Sequence, residues 1–340
     1  MPEPTQPILS VRDLKTYFYT DEGIVRAVDG ASFDVLPGKT VGIVGESGCG
    51  KSVTAFSILR IVDKPGKIVS GEILLSRVNP GGGIQGTNLV QLPEEGEEMY
   101  SIRGKEIALV FQEPMTSFSP VHSIGAQIIE TLKLHDKKLT TAQARQAAIE
   151  GFRQVGIPNP EQRVDSFAHQ LSGGLRQRAM IAMALACNPR ILIADEPTTA
   201  LDVTTQAQIL DLLRQLQQQM GMSIILITHN LGVVAEMADT VIVMYLGRVV
   251  EKGPVDAIFH EPKHPYTQAL LRSIPSIRSK PHTLLPTIAG SIPHPYNRPQ
   301  GCPFHPRCIH YIKDVCNTKE PQTVSVGSDH ETACFLYEGA

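Results

Sequence analysis

Gly45-Glu46-Ser47-Gly48-Cys49-Gly50-Lys51-Ser52 satisfies the pattern G-x-x-x-x-G-K-[ST] at every fixed position. This pattern constrains the chain tightly, because it works only in a turn that ends a strand and opens a helix. The flanks comply: Thr40–Val44 is a short apolar run, and Lys51–Ile61 reads as a helix. Glycines let backbone N–H groups curl around phosphates without side-chain obstruction. The helix N-terminus adds favourable partial charge. Lys51 is then placed to reach β- and γ-phosphates, and the Ser52 hydroxyl to ligate Mg²⁺. A chance match in a glycine-rich turn would not bring the strand and helix with it. Cys49 lies inside the loop. A small filler fits better there than a nucleophile, since phosphoryl transfer needs positioning and not covalent attack.

Further along, Ile191–Ala194 and Ser223–Ile227 read as buried strands, and Thr204–Met220 carries Ile209, Leu213, Leu216 and Met220 at helical spacing. Strands alternating with helices predict a mostly parallel sheet covered on both faces. The first of these strands ends in Asp195-Glu196. Carboxylates at the C-terminal end of such a strand sit where α/β sheets bind ligands. Asp195 is placed to hold Mg²⁺ and Glu196 to polarise an attacking water. A solvated strand end is the plainer reading, and the loop at Gly45–Ser52 outweighs it. Leu171-Ser172-Gly173-Gly174 opens a helix that runs through Ala186, with Ser172 as its N-cap and bare backbone amides behind it. Ser123–Leu134 and Thr140–Val155 also read as helices, the second with Ile149, Phe152 and Val155 on one face. Residues 113–170 thus form a helical insertion, and residues 79–98, with Gly81–Gly83 and four glutamates, read as an exposed loop.

Composition bounds the rest. With 340 residues, the chain makes one large domain plus an appendage, or two domains. Hydrophobic residues at 42% exclude wholesale disorder, and a net charge of −3 gives no sequence-wide basic signal for nucleic acid. No apolar run approaches the roughly 18 residues that span a bilayer, and Met1–Ser10 lacks the features of a secretory signal. A cytoplasmic chain is expected, with its six cysteines as thiols or metal ligands rather than disulfides. Beyond residue 260 the composition shifts: residues 262–340 hold 11 of 25 prolines, 6 of 11 histidines and 4 of 6 cysteines. Such a tail is loop-rich, poor in core, and in need of a staple.

Taken in order, Gly45–Ser52, Gln112, Leu171–Gly174, Asp195-Glu196, Ala200-Leu201-Asp202 and His229 resemble the motifs of ABC transporter ATP-binding subunits, over roughly residues 8–255. The resemblance implies a P-loop NTPase cassette: a mostly parallel sheet flanked by helices, an antiparallel β edge, and a helical subdomain inserted at about 113–175. It implies ATP contacts from Phe18, on adenine, and from Gly45, Glu46, Ser47, Gly48, Cys49, Gly50, Lys51, Ser52 and Val53. Mg²⁺ would be held by Ser52, Gln112 and Asp195, with Glu196, His229 and Gln112 catalytic. Ser172, Gly173 and Gly174 would reach the ATP of a head-to-tail partner subunit. The chain departs from the family pattern at Leu175-Arg176 and at Asn230, which stands where an aspartate is common.

His264-Pro265-Tyr266-Thr267-Gln268-Ala269-Leu270-Leu271, with Ile274-Pro275, is similar to the C-terminal region of oligopeptide and dipeptide importer ATPases. Glu46-Ser47-Gly48, Phe111–Ser117 and Ala194–Asp202 fit the same branch. Cys302, Cys308, Cys316 and Cys334 are separated by five, seven and seventeen residues, so no C-x-x-C zinc pair exists. Four soft thiolates in a core-poor tail still suggest metal ligation over unrelated buried thiols. The resemblance favours a [4Fe-4S] cluster, with zinc second, as a staple for an extension over 261–340 beyond a cassette of 1–260. His305, His310 and His330 read as solvated or hydrogen-bonded. The family implies a second ATPase subunit, a related non-identical one being favoured. It also implies two membrane-spanning permeases, an extracytoplasmic binding protein, no nucleic acid, and a place at the cytoplasmic face of the membrane. Nickel or oligosaccharide remain alternative cargoes. A soluble ABC ATPase would show long heptads or tandem cassettes, and a P-loop GTPase or kinase would lack the Ser172-Gly173-Gly174 helix.

Overall fold

A computed structural model describes residues 6–78, 83–274 and 288–338. Pro275 and the first part of the glycine-rich stretch, residues 79–82, lie outside the described residues. The chain folds as two compact units, one of Leu36–Lys39 and Leu92–Ile227, the other of Gln6–Val35, Thr40–Gln91 and Thr228–Ala340.

The second unit begins with β1 (Leu9–Thr20), β2 (Gly23–Val35), β3 (Thr40–Val44), α1 (Lys51–Ile58), β4 (Gly66–Val78) and β5 (Ile84–Asn88). The strand before the phosphate loop has the predicted bounds, and every residue in it is buried. The helix after the loop stops short of Ile61 because Arg60 takes a left-handed backbone (φ 55). An antiparallel sheet in the order β2-β1-β4-β5 matches the β edge that the resemblance implied.

Where it is described, the expected exposed loop at 79–98 is irregular over residues 92–96 and structured on either side. Ile84–Asn88 pairs antiparallel with β4, from Val78 opposite Ile84 to Leu74 opposite Asn88. Glu97–Ile102 then forms α2, which belongs to the other unit. Met99 and Ile102, one helical turn apart and fully buried, anchor that helix; this pair was the signal the glutamates obscured.

That other unit continues with β6 (Ile107–Val110), α3 (Pro114–Ser117), α4 (Ile124–His135), α5 (Thr141–Gln154), α6 (Pro160–Arg163), α7 (Gly173–Leu185), β7 (Ile191–Asp195), α8 (Val203–Met220) and β8 (Ser223–Ile227). Its strands are parallel, β6 to β7 and β7 to β8. β7 and β8 are buried at every residue, the mark of strands covered on both faces. Side chains start the helices. Thr140 and Gln143 form a capping box on α5, Ser123 caps α4, and Asp202 caps α8. Ile149 and Phe152 of α5, with Val155 at its C-cap, are buried, and α5 packs on α4 and α7.

The second unit resumes with α9 (Leu231–Met237), β9 (Thr240–Tyr245), β10 (Arg248–Pro254), α10 (Val255–His260), α11 (Pro265–Arg272), β11 (Val324–Gly327) and β12 (His330–Thr332). β3 runs parallel to β9, and β9, β10, β12 and β11 follow in antiparallel succession. The proline-rich segment therefore does not lack a core. Tyr266, Cys302, Phe304 and Cys316 join Val241, Val243, Tyr245 and Val250 in one buried cluster. The rings of Tyr245, Tyr266 and Phe304 stand 4.7–5.3 Å apart. Aromatic packing and strand pairing to β10 do the stapling that the loop-rich composition seemed to require of a metal. Among the described residues, no helix is long and apolar enough to cross a membrane.

Candidate nucleotide-binding site

The phosphate loop leaves β3 and enters α1 with its glycines under strict steric demand. Gly45 (φ 152) and Gly50 (φ 101) have backbones that L-residues rarely adopt. A Cβ on Gly45 would fall 2.2 Å from the Met244 carbonyl oxygen, and one on Gly50 would fall 2.1 Å from that of Ala27. Gly50 is also the N-cap of α1, with no side-chain cap, so the first amides of the helix stay open to an anion. Ser47 and Gly48 are exposed, while Ser52 and Val53 are partly buried in the first turn of the helix.

Lys51 is 6% exposed and folds back over the loop, its ammonium donating to the carbonyls of Gly45 (2.9 Å) and Glu46 (3.2 Å). The Cys49 Sγ lies 3.8 Å from the same ammonium. Burial pushes the Cys49 thiol up from its ordinary value, so it stays a neutral thiol, as a filler should. Phe18 is partly buried in β1, opposite Val25 and Gly66. A Cβ on Gly66 would come within 2.7 Å of the Phe18 ring, so the glycine leaves room for it.

Glu46 reveals what the sequence did not. Its backbone N–H donates to the Tyr266 hydroxyl at 2.9 Å, and its carboxylate takes two bonds from Arg307, at 2.7 and 3.1 Å. Tyr266 has a place in the sequence only within the segment His264–Leu271, and Arg307 stands beside Cys308 with no spacing that ties it to the loop. No sequence signal pairs them with Glu46.

Carboxylate chemistry is built separately, in the unit that carries β6 to β8. Parallel register sets Val110 opposite Ala194, so Gln112 and Glu196 leave neighbouring strands at the same end. The Gln112 amide donates to the Glu196 carboxylate at 3.0 Å, and Thr199 donates to it at 2.8 Å. Glu196 has a left-handed backbone (φ 46), a conformation a bulky residue holds only when its surroundings enforce it. Its N–H donates to the Ile227 carbonyl at 2.8 Å. Asp195 is the last residue of β7 and is buried at 3% exposure.

Ser172 caps α7, its hydroxyl accepting from the Leu175 N–H at 3.4 Å, and Ser172 and Gly173 are exposed. His229 is exposed, just after β8. Asn230 is explained by local structure: its side chain caps α9, accepting from Gly232 and Val233. An amide does this as an aspartate would.

Cys302, Cys308, Cys316 and Cys334 line one cavity together with Phe304, Phe335 and Leu336. Burial pushes the Cys302 thiol up to about 12 and that of Cys334 to about 11, and it raises Cys308 as well. Among the described residues, however, no group of three or more His, Cys, Asp or Glu side chains is gathered as ligands of a metal ion. The metal staple expected for the extension, whether an iron–sulfur cluster or zinc, is therefore not supported. Of the histidines, His330 bonds the buried Glu251 carboxylate at 2.8 Å and His305 the Cys302 carbonyl at 2.9 Å.

With this geometry in view, comparison with known proteins decides the family. Residues 28–199 match the ABC transporter family, and residues 250–316 match the oligopeptide/dipeptide transporter C-terminal region. The chain is an ABC transporter ATPase. It is 49% identical over 332 residues to the oligopeptide transport ATP-binding protein AppD of Bacillus subtilis, covering 97% of each chain. It is 45% identical over 327 residues to the dipeptide transport ATP-binding protein DppD of Escherichia coli, covering 96% of each. Among solved structures, the ATP-binding cassette MJ0796 in a dimeric post-hydrolysis state bound to ADP and Pi aligns with a TM-score of 0.63. That alignment is 25% identical and covers 73% of this chain and 98% of the cassette. The ABC cassette fold expected from the motifs is thereby established, and ATP is the nucleotide this ABC ATPase takes.

Proposed function

We propose that this ABC ATPase powers the import of dipeptides or oligopeptides. The observation that carries the reading is the presence, in one chain, of an ABC cassette and the C-terminal region of the oligopeptide/dipeptide transporters. The cassette occupies residues 1–260, with a helical subdomain at about 113–175, and the extension follows over 261–340.

In this reading the amides of Gly45–Ser52 and the Lys51 ammonium hold the ATP phosphates, with Val53 beside them and Phe18 against adenine. Ser52, Gln112 and Asp195 hold Mg²⁺. Glu196 polarises the attacking water, and the Gln112–Glu196 hydrogen bond supports that role by orienting the carboxylate. His229 contacts the γ-phosphate. Ser172, Gly173 and Gly174 face the ATP of a partner ATPase, and the exposure of Ser172 and Gly173 supports their availability. ATP closes the pair because it binds the closed state more tightly than the open one, and hydrolysis releases it. Two membrane-spanning permeases and an extracytoplasmic binding protein complete the assembly, with this subunit peripheral at the cytoplasmic face.

The four cysteines hold a [4Fe-4S] cluster in this reading. The support is the cavity that all four cysteines line: thiolates gathered there would repel one another unless a cationic group compensated them. Anaerobic purification with iron and acid-labile sulfide analysis tests the assignment. Zinc in place of iron, or neither, overturns it.

The decisive experiment for the function is native purification with neighbouring subunits, followed by reconstitution. Co-purifying permeases and peptide-stimulated ATPase activity are expected. Stimulation only by nickel or an oligosaccharide would overturn the peptide assignment, and a stable complex without membrane subunits would overturn transport.

A further inference from the structure

We propose that Arg307 is a positioning residue for the phosphate loop: through Glu46 it fixes the loop segment on which Lys51 rests. The inference rests on the reading of Gly45–Ser52 as the ATP-binding loop and goes beyond it, because it makes the C-terminal extension a working part of the nucleotide site.

All the polar groups of Glu46 are committed. Its N–H goes to the Tyr266 hydroxyl (2.9 Å), its carbonyl receives the Lys51 ammonium (3.2 Å), and its carboxylate receives both terminal nitrogens of Arg307 (2.7 and 3.1 Å). A bidentate guanidinium–carboxylate pair fixes orientation as well as distance. The Arg307 side chain is 4% exposed and that of Glu46 22%. Arg307 is itself immobilised: its Nε donates to the Ala289 carbonyl at 3.0 Å and one terminal nitrogen reaches the Tyr245 hydroxyl at 3.3 Å. Tyr266 is fully buried against Tyr245 and Phe304.

The position of Arg307 is set in turn by the cysteine segment. His305 donates its N–H to the Cys302 carbonyl at 3.0 Å, and Cys308 donates to the His305 carbonyl at 3.2 Å, so Arg307 projects from a turn framed by two of the four thiols. The physical chain therefore runs from the cysteine turn through Arg307 and Glu46 to the lysine that meets the phosphates. A loop held this way is pre-organised, and losing the hold must cost nucleotide affinity, because binding then has to order the loop.

The test is equilibrium binding of a fluorescent ATP analogue with Mg²⁺ to the full-length subunit. The wild-type chain is compared with Arg307→Gln, Arg307→Lys, Glu46→Gln and the double variant Arg307→Gln/Glu46→Gln, with thermal midpoints measured in parallel. Arg307→Gln is expected to weaken binding about tenfold. Lysine, able to make one of the two contacts, should restore part of the loss. The double variant should bind no worse than the weaker single variant, as two halves of one interaction require. Should Arg307→Gln fail to fold, Tyr266→Phe, which removes only the hydroxyl facing Glu46, carries the same expectation in smaller measure. A lowered thermal midpoint with unchanged nucleotide affinity would reduce Arg307 to a tether of the extension and overturn the proposal, as would strictly additive losses. Failure of the wild-type chain to bind the analogue would overturn the ATP reading itself, a result distinct from either.

Discussion

The Gln112 amide and the Glu196 carboxylate meet at 3.0 Å, two residues beyond the end of β6 and one beyond the end of β7. Strand register brings them together, and the Thr199 hydroxyl, at 2.8 Å, holds the carboxylate from a second direction. A carboxylate pinned by two donors is directed, which suits it to orient a water rather than to roam in solvent.

Glu196→Gln keeps the shape and both donors' reach while removing the charge. Hydrolysis should fall about a hundredfold or more, the usual share of a general base, while ATP binding persists. Single-turnover hydrolysis alongside nucleotide binding checks this. With the native companion ATPase and Mg²⁺, the same variant should accumulate a nucleotide-bridged dimer, visible by size-exclusion chromatography.

Ser172→Ala removes a cap whose hydrogen bond is long, 3.4 Å. The helix should lose about 0.5–1 kcal/mol at most. ATPase activity of the assembled pair should fall well beyond what so small a loss explains if, as proposed, the hydroxyl faces the nucleotide of a partner subunit. Equal losses in stability and activity would mean that Ser172 only caps its helix.

Gly125 stands in the first turn of α4, where a Cβ would lie 2.3 Å from a Val164 methyl and 2.4 Å from the Val164 carbonyl oxygen. Gly125→Ala should destabilise the unit containing α4 by about 2–3 kcal/mol through overpacking. Denaturant unfolding followed by a probe in α4 or α5 measures it.

Asp29 is 4% exposed and accepts from the Tyr17 hydroxyl and from Arg298, both at 2.6 Å, with Arg248 at 3.6 Å. Burial alone would push its carboxyl up; Tyr17, Arg298 and Arg248 together hold it below the ordinary aspartate range. A carboxyl lowered in the folded state adds stability that is complete above its unfolded value, near pH 4, and is lost as pH falls through its folded value. Asp29→Asn should cost about 3 kcal/mol at neutral pH by stranding the guanidinium groups. It should also flatten the acid limb of a stability profile measured by denaturant titration at successive pH values.

Much of the cassette was legible because its signals are local. Gly45–Ser52, the apolar runs at Thr40–Val44 and Ser223–Ile227, and the cap at Ser172 each declare themselves within a few residues. Gln112 was recoverable only as a resemblance, and its contact with Glu196 not at all, since register is a property of two strands. The grip of Arg307 on Glu46 spans more than 250 residues of chain, and nothing in either neighbourhood announces it. The tail's prolines rightly marked it as loop-rich, but its aromatic residues find their core on β9 and β10, which composition cannot show.

Gly45 and Gly50 are surrounded by main-chain oxygens from neighbouring strands, at 2.2 and 2.1 Å from where a first side-chain carbon would sit. Their identity is thus demanded by the architecture even before any phosphate arrives. A paralogue that kept this loop but lost its chemistry would have to retain both glycines all the same.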